Sequence, residues 1–518
     1  MMIRRCCLLV AALVCLASLL TACSGANSEK PAGDLPVPGG TARIVQITEP
    51  RSLDPATLSN QWVLNAMLGN ALFGTLMIND PETGELRFTM AQSFATRDGG
   101  ATFELTLRPH LRFSDGGPLD AAAVKYNWDR IKDPANGSAY LQEASMVAAT
   151  EVVDDTRLRV TMAEPVPNFA EAVYGTSLNW IASPAALAAG RQQFDAHPVG
   201  AGPFTLTRWA RGDAIELVKN PAYWDAPKPF LDAITLRANA DTAQRINTLI
   251  SGGADLVIET NPASLSEARA AGFPTDTVPL HGGQTLTMNT RRPPFDDVRA
   301  RRAVAAAIDL EAINVAVYHG ESRVPKTLFG ESSPFHTDLP LPRPDRETAQ
   351  RLFDELAAEG KPVSFTFTSG PTAEIRALAE NVQAQLSAFG NVEVAVVVAD
   401  ITQVVELRRT NDFDMTTSSA NFTDPEPALW SVFHRNSRRN LSGVSDPELS
   451  RALQDGRTGT TSRQRADAYR RVQERLNALV PVIFQVSNEP SVVTRRNVGG
   501  VVQYGYGSLL PEELWVEN

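Results

Sequence analysis

No cysteine follows position 23. Cys6, Cys7, Cys15 and Cys23 all fall within the first 23 of 518 residues. Beyond that point neither a disulfide framework nor a Cys-ligated zinc or iron–sulfur site is available. Stability must come from a hydrophobic core, which a chain of this length can build. Base is short relative to acid, 48 Lys and Arg against 59 Asp and Glu. The basic footprint of a nucleic-acid binder is therefore missing. Only seven of the bases are lysine, an arginine bias that carries little chemistry. After residue 20 no apolar run approaches the roughly 20 residues of a membrane-spanning helix. The six histidines, His110, His197, His281, His319, His336 and His434, never fall as H-x-x-x-H or H-E-x-x-H. No G-x-S-x-G, S-x-x-K or G-x-x-x-x-G-K-[ST] occurs. Zinc-hydrolase spacing, a serine nucleophile motif and a P-loop ATPase are thereby set aside. Asp412, Asp414, Asp424 and Glu426 lie close together, but they read as a strand-end and loop cluster rather than a glycosidase pair. We expect no enzyme, no metal and no cofactor.

What the chain does have begins at its start. Met1-Met2-Ile3-Arg4-Arg5 is positive, residues 6–20 are apolar, and Leu20-Thr21-Ala22 ends the stretch with small residues. This is the pattern of a secretory signal peptide. Small residues directly before Cys23 resemble the lipobox of bacterial lipoproteins. That resemblance implies cleavage after residue 22, acylation of the Cys23 sulfur and a place on the outer face of the cell membrane. Loss of Arg4 and Arg5 with the leader takes the net charge from −11 to −13. Residues 24–40, SGANSEKPAGDLPVPGG, are too poor in large apolar side chains to pack and read as a flexible tether.

The rest is long enough for more than one domain. Residues 41–47 alternate like a strand, as do 102–107, 214–219, 233–237, 363–368, 392–398, 482–486 and 491–494. Residues 119–131 read as a helix with Val124, Trp128 and Ile131 on one face. Further helices are expected at 241–250, 294–308, 349–356, 372–389 and 463–479. Intermixed helices and strands give an α/β or mixed class.

Several landmarks resemble those of the extracellular solute-binding proteins of peptide, dipeptide and nickel ABC importers, family 5. Ser52-Leu53-Asp54-Pro55 is similar to an early S-L-D-P. Leu107-Arg108 through Phe113-Ser114-Asp115-Gly116-Gly117-Pro118-Leu119 resembles L-R-x-x-x-x-F-S-D-G-x-P-L, although the acid of the following Ala-x-Asp-Val is missing. Gly200-Ala201-Gly202-Pro203-Phe204, Asn220-Pro221-Ala222-Tyr223-Trp224 and Gly253-Ala254-Asp255 follow in the family's order. Asn289 with Pro293-Pro294-Phe295-Asp296-Asp297-Val298-Arg299, then Ala307-Ile308-Asp309, completes the series. Most of these residues have structural work: turn chemistry at Ser114–Pro118, close chain approach at Gly200–Gly202 and core packing at Tyr223 and Trp224.

The resemblance implies a two-lobed periplasmic-binding-protein-like fold of class II, with an extra subdomain in the N-terminal lobe. Lobe I would comprise residues 41–70, 182–285 and 485–518, the subdomain 71–181 and lobe II 286–484. The crossings near 286–290 and 482–485 would form the hinge. It further implies a monomer that closes around a peptide or another small solute and docks on membrane permease subunits; a ligand sensor that reuses the scaffold and feeds no permease is the alternative.

The family's cleft segments carry over to Ser59, Asn60, Gln61 and Trp62 in lobe I and to Tyr140 in the subdomain. In lobe II they carry over to Arg408 and to Asn421, Phe422, Thr423 and Asp424. Peptide-binding members hold the peptide's ammonium on a lobe II aspartate. Here that position is Thr423 when counted without gaps from Phe413-Asp414, one residue short of Asp424, or Asn421 when aligned on Asp424-Pro425. Asn421 and Thr423 suit a neutral ligand such as an oligosaccharide; Arg408 suits a carboxylate.

Overall fold

The structure is a computed structural model that describes residues 33, 35–81 and 83–517. Cys23, the leader and most of the tether lie outside the described residues. Among those described, no helix is long and apolar enough to cross a membrane.

Three sheets organise the chain. The first has seven strands in the order Thr275–Thr277, Ser491–Thr494, Leu256–Glu259, Thr41–Gln46, Ala233–Ala238, Ala214–Lys219 and Phe204–Ala210. Thr41–Gln46 sits at its centre, parallel to both neighbours, with Ile44 opposite Leu236 and Leu256. The second has five strands in the order Val392–Val398, Val363–Ser369, Met415–Phe422, His281–Met288 and Val482–Val486. The third is a four-stranded antiparallel sheet of Ala91–Ala95, Thr102–Leu107, Arg157–Met162 and Val147–Val152.

The expected elements form where their patterns lie. Thr102–Leu107 alternates buried and open residues against Arg157–Met162. The helix Ala121–Lys132 is capped by Asp120, whose carboxylate accepts from the Ala123 N–H, and it buries Val124, Trp128 and Ile131. Phe94, Phe103 and Phe169 join Trp128 in the core over the four-stranded sheet. Asp297 caps the helix Val298–Ala307, and a capping box of Thr461 and Gln464 starts Ser462–Leu479.

The landmark residues are fixtures of this frame. Asp54 is 2% exposed and takes both oxygens to Arg130 at 2.6 and 2.8 Å, tying the first loop to the helix Ala121–Lys132. Asp115 accepts from the Gly117 N–H, beside Gly116 at φ +88°. A Cβ at Gly200 would stand 2.2 Å from the Leu72 carbonyl oxygen, and one at Gly202 would stand 2.3 Å from that of Ala71. Tyr223 is buried, and Trp224 packs on the core beneath the Arg108 guanidinium.

The crossings between the two large sheets correct the expected hinge. Residues 286–288 and 482–485 are ladder positions inside the five-stranded sheet, with Leu286 opposite Ile483. The chain passes between the sheets at 278–280 and 487–490 instead. The strand His281–Met288 is concealed in the sequence by Gly282 and Gly283. Both glycines are required, because a Cβ there would meet the Ala420 oxygen at 1.9 Å or the Val486 oxygen at 2.2 Å.

Candidate functional site

A cavity of about 370 Å³ lies where the seven-stranded lobe, the subdomain and the five-stranded lobe meet. Its wall includes Gln61, Trp62 and Thr260 from the first, Tyr140, Glu143 and Glu171 from the second, and Gln284, Arg408, Thr417–Asn421 and Arg439 from the third. Tyr506, from the C-terminal segment, completes it.

The two sides of the cleft are in contact. Gln142 donates to Ser431 Oγ at 2.8 Å and accepts from Ser437 Oγ at 3.0 Å. Arg439 reaches Glu143 at 2.9 Å, and Gln454 donates to Glu164 at 2.9 Å. The short helix Leu141–Ala144 thus clasps residues 431–439, and the lobes are closed over the cavity.

The sequence-predicted residues divide. Gln61, Trp62, Tyr140, Arg408 and Asn421 stand in the wall. Tyr140 is held by a 2.9 Å hydrogen bond with Ser59 Oγ, and burial pushes its phenol up to about 12. Ser59 therefore stands behind the wall rather than in it. Asn60 is also set back: its amide donates to the Tyr174 carbonyl and its oxygen accepts from Ser508. Phe422 is fully buried against Phe329, because on a strand it points to the face opposite Asn421. Thr423 lies just past that strand's end and outside the wall. Asp424, the candidate ammonium partner, is also outside the wall, and its Oδ1 is taken by Arg465 at 2.5 Å.

Most of the wall was not among the predicted site residues, including Glu143, Glu171, Gln284, Arg439 and Tyr506. Glu171 had a signal, an acid inside the otherwise apolar turn Phe169–Tyr174. Phe169 anchors that turn in the core and the cavity side is left to Glu171. Burial and the neighbouring Asp424 raise the Glu171 carboxyl well above its usual range, against the pull of Arg465. At the opposite rim Arg408 donates to the Thr417 carbonyl at 3.1 Å, and no carboxylate among the described residues reaches it. Desolvation lowers its pKa. Trp62 Nε1, Glu143 Oε2 and Asn421 Oδ1 are buried without a hydrogen-bond partner. Buried polar atoms are normally satisfied, so these three await a partner. No group of three or more potential metal ligands occurs among the described residues.

Residues 85–440 match the family described as bacterial extracellular solute-binding proteins, family 5 middle. The glutathione-binding protein GsiB of Escherichia coli (strain K12) is 31% identical over 271 residues, which is 52% of each chain. The chain thus matches about half the length of these curated relatives. Two solved structures share the fold. DppA from Helicobacter pylori, bound to the peptide STSA, superposes with a TM-score of 0.80 at 20% identity, covering 93% of this chain and 99% of its own. AgaA from A. tumefaciens R10, bound to agropinic acid, gives 0.79 at 22%, covering 92% and 99%. The fold is therefore the two-lobed one of periplasmic binding proteins.

Proposed function

The chain belongs to the bacterial extracellular solute-binding proteins of family 5, and on that premise we propose that it captures peptides or related small zwitterions outside the cytoplasm. Closure of the two lobes holds the ligand, and the closed form delivers it to the permease of an ABC importer. The observation that carries this reading is the cavity's polarity. The wall holds Arg408, which no carboxylate among the described residues reaches, together with Glu171 and Glu143, and a Trp62 N–H and an Asn421 carbonyl in it lack a partner. A ligand with a carboxylate, an amine and amide groups would satisfy all of these. The cavity's volume falls within the range of about 300–1,000 Å³ usual for small-ligand pockets. GsiB, by its name, binds a tripeptide thiol, and DppA holds a tetrapeptide; both accord with this ligand class.

Closure follows from differential contact. Ligand groups touch both lobes only in the closed form, so binding shifts the population toward it. The chain acts as a monomeric receptor and catalyses no reaction. We assign residues 71–181 to the subdomain, with lobe I before and after it and lobe II built on the five-stranded sheet. Cys23 would hold the receptor at the membrane through acyl chains, each buried CH₂ contributing about 0.8 kcal/mol. A second reading, an oligosaccharide binder, is favoured by the hydroxyl-bearing wall of Thr417, Ser418 and Ser419.

Thermal shift separates the two. A ligand at 100 times its Kd stabilises by about 2.7 kcal/mol. Met-Leu, trialanine or glutathione should raise Tm, and maltotriose should not. A rise with maltotriose and none with the three peptides overturns the peptide reading.

A further inference from the structure

We propose that Glu171 reads the positive charge of the ligand and makes lobe closure depend on it. The amine of a zwitterionic ligand docks on Glu171; without that amine, the facing carboxylates of subdomain and lobe II oppose closure. This inference rests on the peptide-type reading of the cavity.

A census of charge at this end of the cavity isolates the residue. Four carboxylates stand there: Glu143, Glu171, Asp424 and Glu426. Three guanidiniums answer them one to one, Arg439 on Glu143 at 2.9 Å, Arg465 on Asp424 at 2.5 Å and Arg457 on Glu426 at 2.6 Å. Glu171 is left over. Its hydrogen bond comes from the neutral Tyr174 hydroxyl, three residues along the same helix. Among the described residues that line the cavity the cations are Arg439, taken by Glu143, and Arg408, which sits by the Thr417 carbonyl, while Tyr140 and Tyr506 bring neutral phenols.

The placement of the pairs makes this excess conformational. Glu171 rides on the subdomain helix Phe169–Tyr174, whereas Asp424 follows the strand Met415–Phe422 and Arg465 belongs to Ser462–Leu479, both on the other side of the cleft. Closure therefore brings Glu171 toward Asp424, and the single guanidinium of Arg465 must serve both. The closed form is electrically balanced only when Glu171 takes up a proton or a second positive charge stands beside it. Independent evidence that a ligand sits here comes from two cavity-wall side chains. Trp62 is 7% exposed and Glu143 is 3% exposed, yet Trp62 Nε1 and Glu143 Oε2 have no partner. A ligand carrying an amine and an adjoining carbonyl would serve Glu171, Glu143 and Trp62 together.

The test uses the chain without its leader, with Met-Leu, trialanine and glutathione and the N-acetyl form of each, by titration calorimetry. Small-angle scattering of the ligand-free protein reports closure. The wild type should prefer the free amine by about tenfold or more, the size of a charge-assisted hydrogen bond. Glu171→Gln should bring that preference to within about threefold, by weakening the free-amine form alone, and its ligand-free state should be more compact. Glu171→Asp, which keeps the charge, should restore the preference and guards against a merely structural effect. A wild type that binds the peptides but does not distinguish the acetylated forms overturns the role of Glu171 and leaves the receptor reading intact. So does a Glu171→Gln variant that keeps the full preference. A wild type that binds none of the six overturns the peptide reading and this inference with it.

Discussion

At the subdomain end of the cavity nearly every charge already has its opposite, whereas at the far rim Arg408 has only the Thr417 carbonyl. The first end is deep: Glu426 and Arg457 are 2% and 5% exposed, and Arg457 also stacks on Trp430 at 3.9 Å. The second is open to solvent on one side. A buried ion pair shapes the closed wall and holds it, and the charge it neutralises is no longer there to attract a ligand's charge. An unpaired charge contributes little to that shape but is ready to read one. The division between Arg457 and Arg408 is thus a division between building the site and using it. Among the described residues Glu171 is the exception on the built side, a carboxylate with no guanidinium of its own.

The sharpest way to break this comparison is to remove Arg457. Glu426 would be left charged and enclosed, and losing one partner of a buried pair costs about 3–5 kcal/mol. Arg457→Ala should lower stability by that amount in urea denaturation. The defect should depend on pH, with a definite sign. Burial already raises the Glu426 carboxyl, while Arg457 pulls it down. Without Arg457 the folded state holds its proton to higher pH than the unfolded chain does. The variant's stability must then fall as pH rises through that window, making the deficit larger at pH 8 than at pH 5. Glu426→Gln combined with Arg457→Met removes both charges and should recover most of the loss. An Arg457→Ala variant as stable as wild type would show that this end is not held by its ion pairs.

Much of the built side was legible in the sequence, because its signals are local. Val124, Trp128 and Ile131 announce the face that the helix Ala121–Lys132 buries. Gly200 and Gly202 mark a chain approach too close for any Cβ. The user's side was legible only in part. Gln61, Trp62, Tyr140, Arg408 and Asn421 stand in the wall, but Asn421 and Phe422 cannot both do so, since neighbours on a strand face opposite ways. The first half of the strand His281–Met288, where His281 and Gly282 lie opposite Phe422 and Asn421, was masked by Gly282 and Gly283, so the facing of 421 and 422 was hidden too. Glu143 gave no local signal, and the acid in the apolar turn Phe169–Tyr174 marked Glu171 without telling which charges would face it. What singles out Glu171 is the count of charges that three distant segments bring to one place, and that count exists only after the lobes have closed.

A smaller effect is expected at the other rim. Arg408→Gln removes a cation without leaving a buried carboxylate behind, so folding stability should change by less than about 0.5 kcal/mol. Affinity for a peptide with a free C-terminal carboxylate should fall by about 1.5–3 kcal/mol, the worth of a hydrogen bond to a charged group. Trialanine and its C-terminal amide should then bind the variant alike, although the wild type prefers the acid. If both proteins show the same preference, the carboxylate is read elsewhere and the far rim is only a solvated edge.

The smallest effect separates clasp from reader. Gln142 joins the subdomain to Ser431 and Ser437 without touching a charge. These are neutral hydrogen bonds made only when the cleft is shut, each worth about 1 kcal/mol net. Gln142→Ala should therefore weaken every ligand by the same few-fold factor, because it shifts the closing equilibrium beneath all of them. The preferences for free amine and free carboxylate should stay at their wild-type ratios, and the denaturation midpoint without ligand should barely move. A Gln142→Ala variant that weakened free-amine ligands selectively would place the clasp among the charge-reading groups, and the boundary between building and using would have to move to include it.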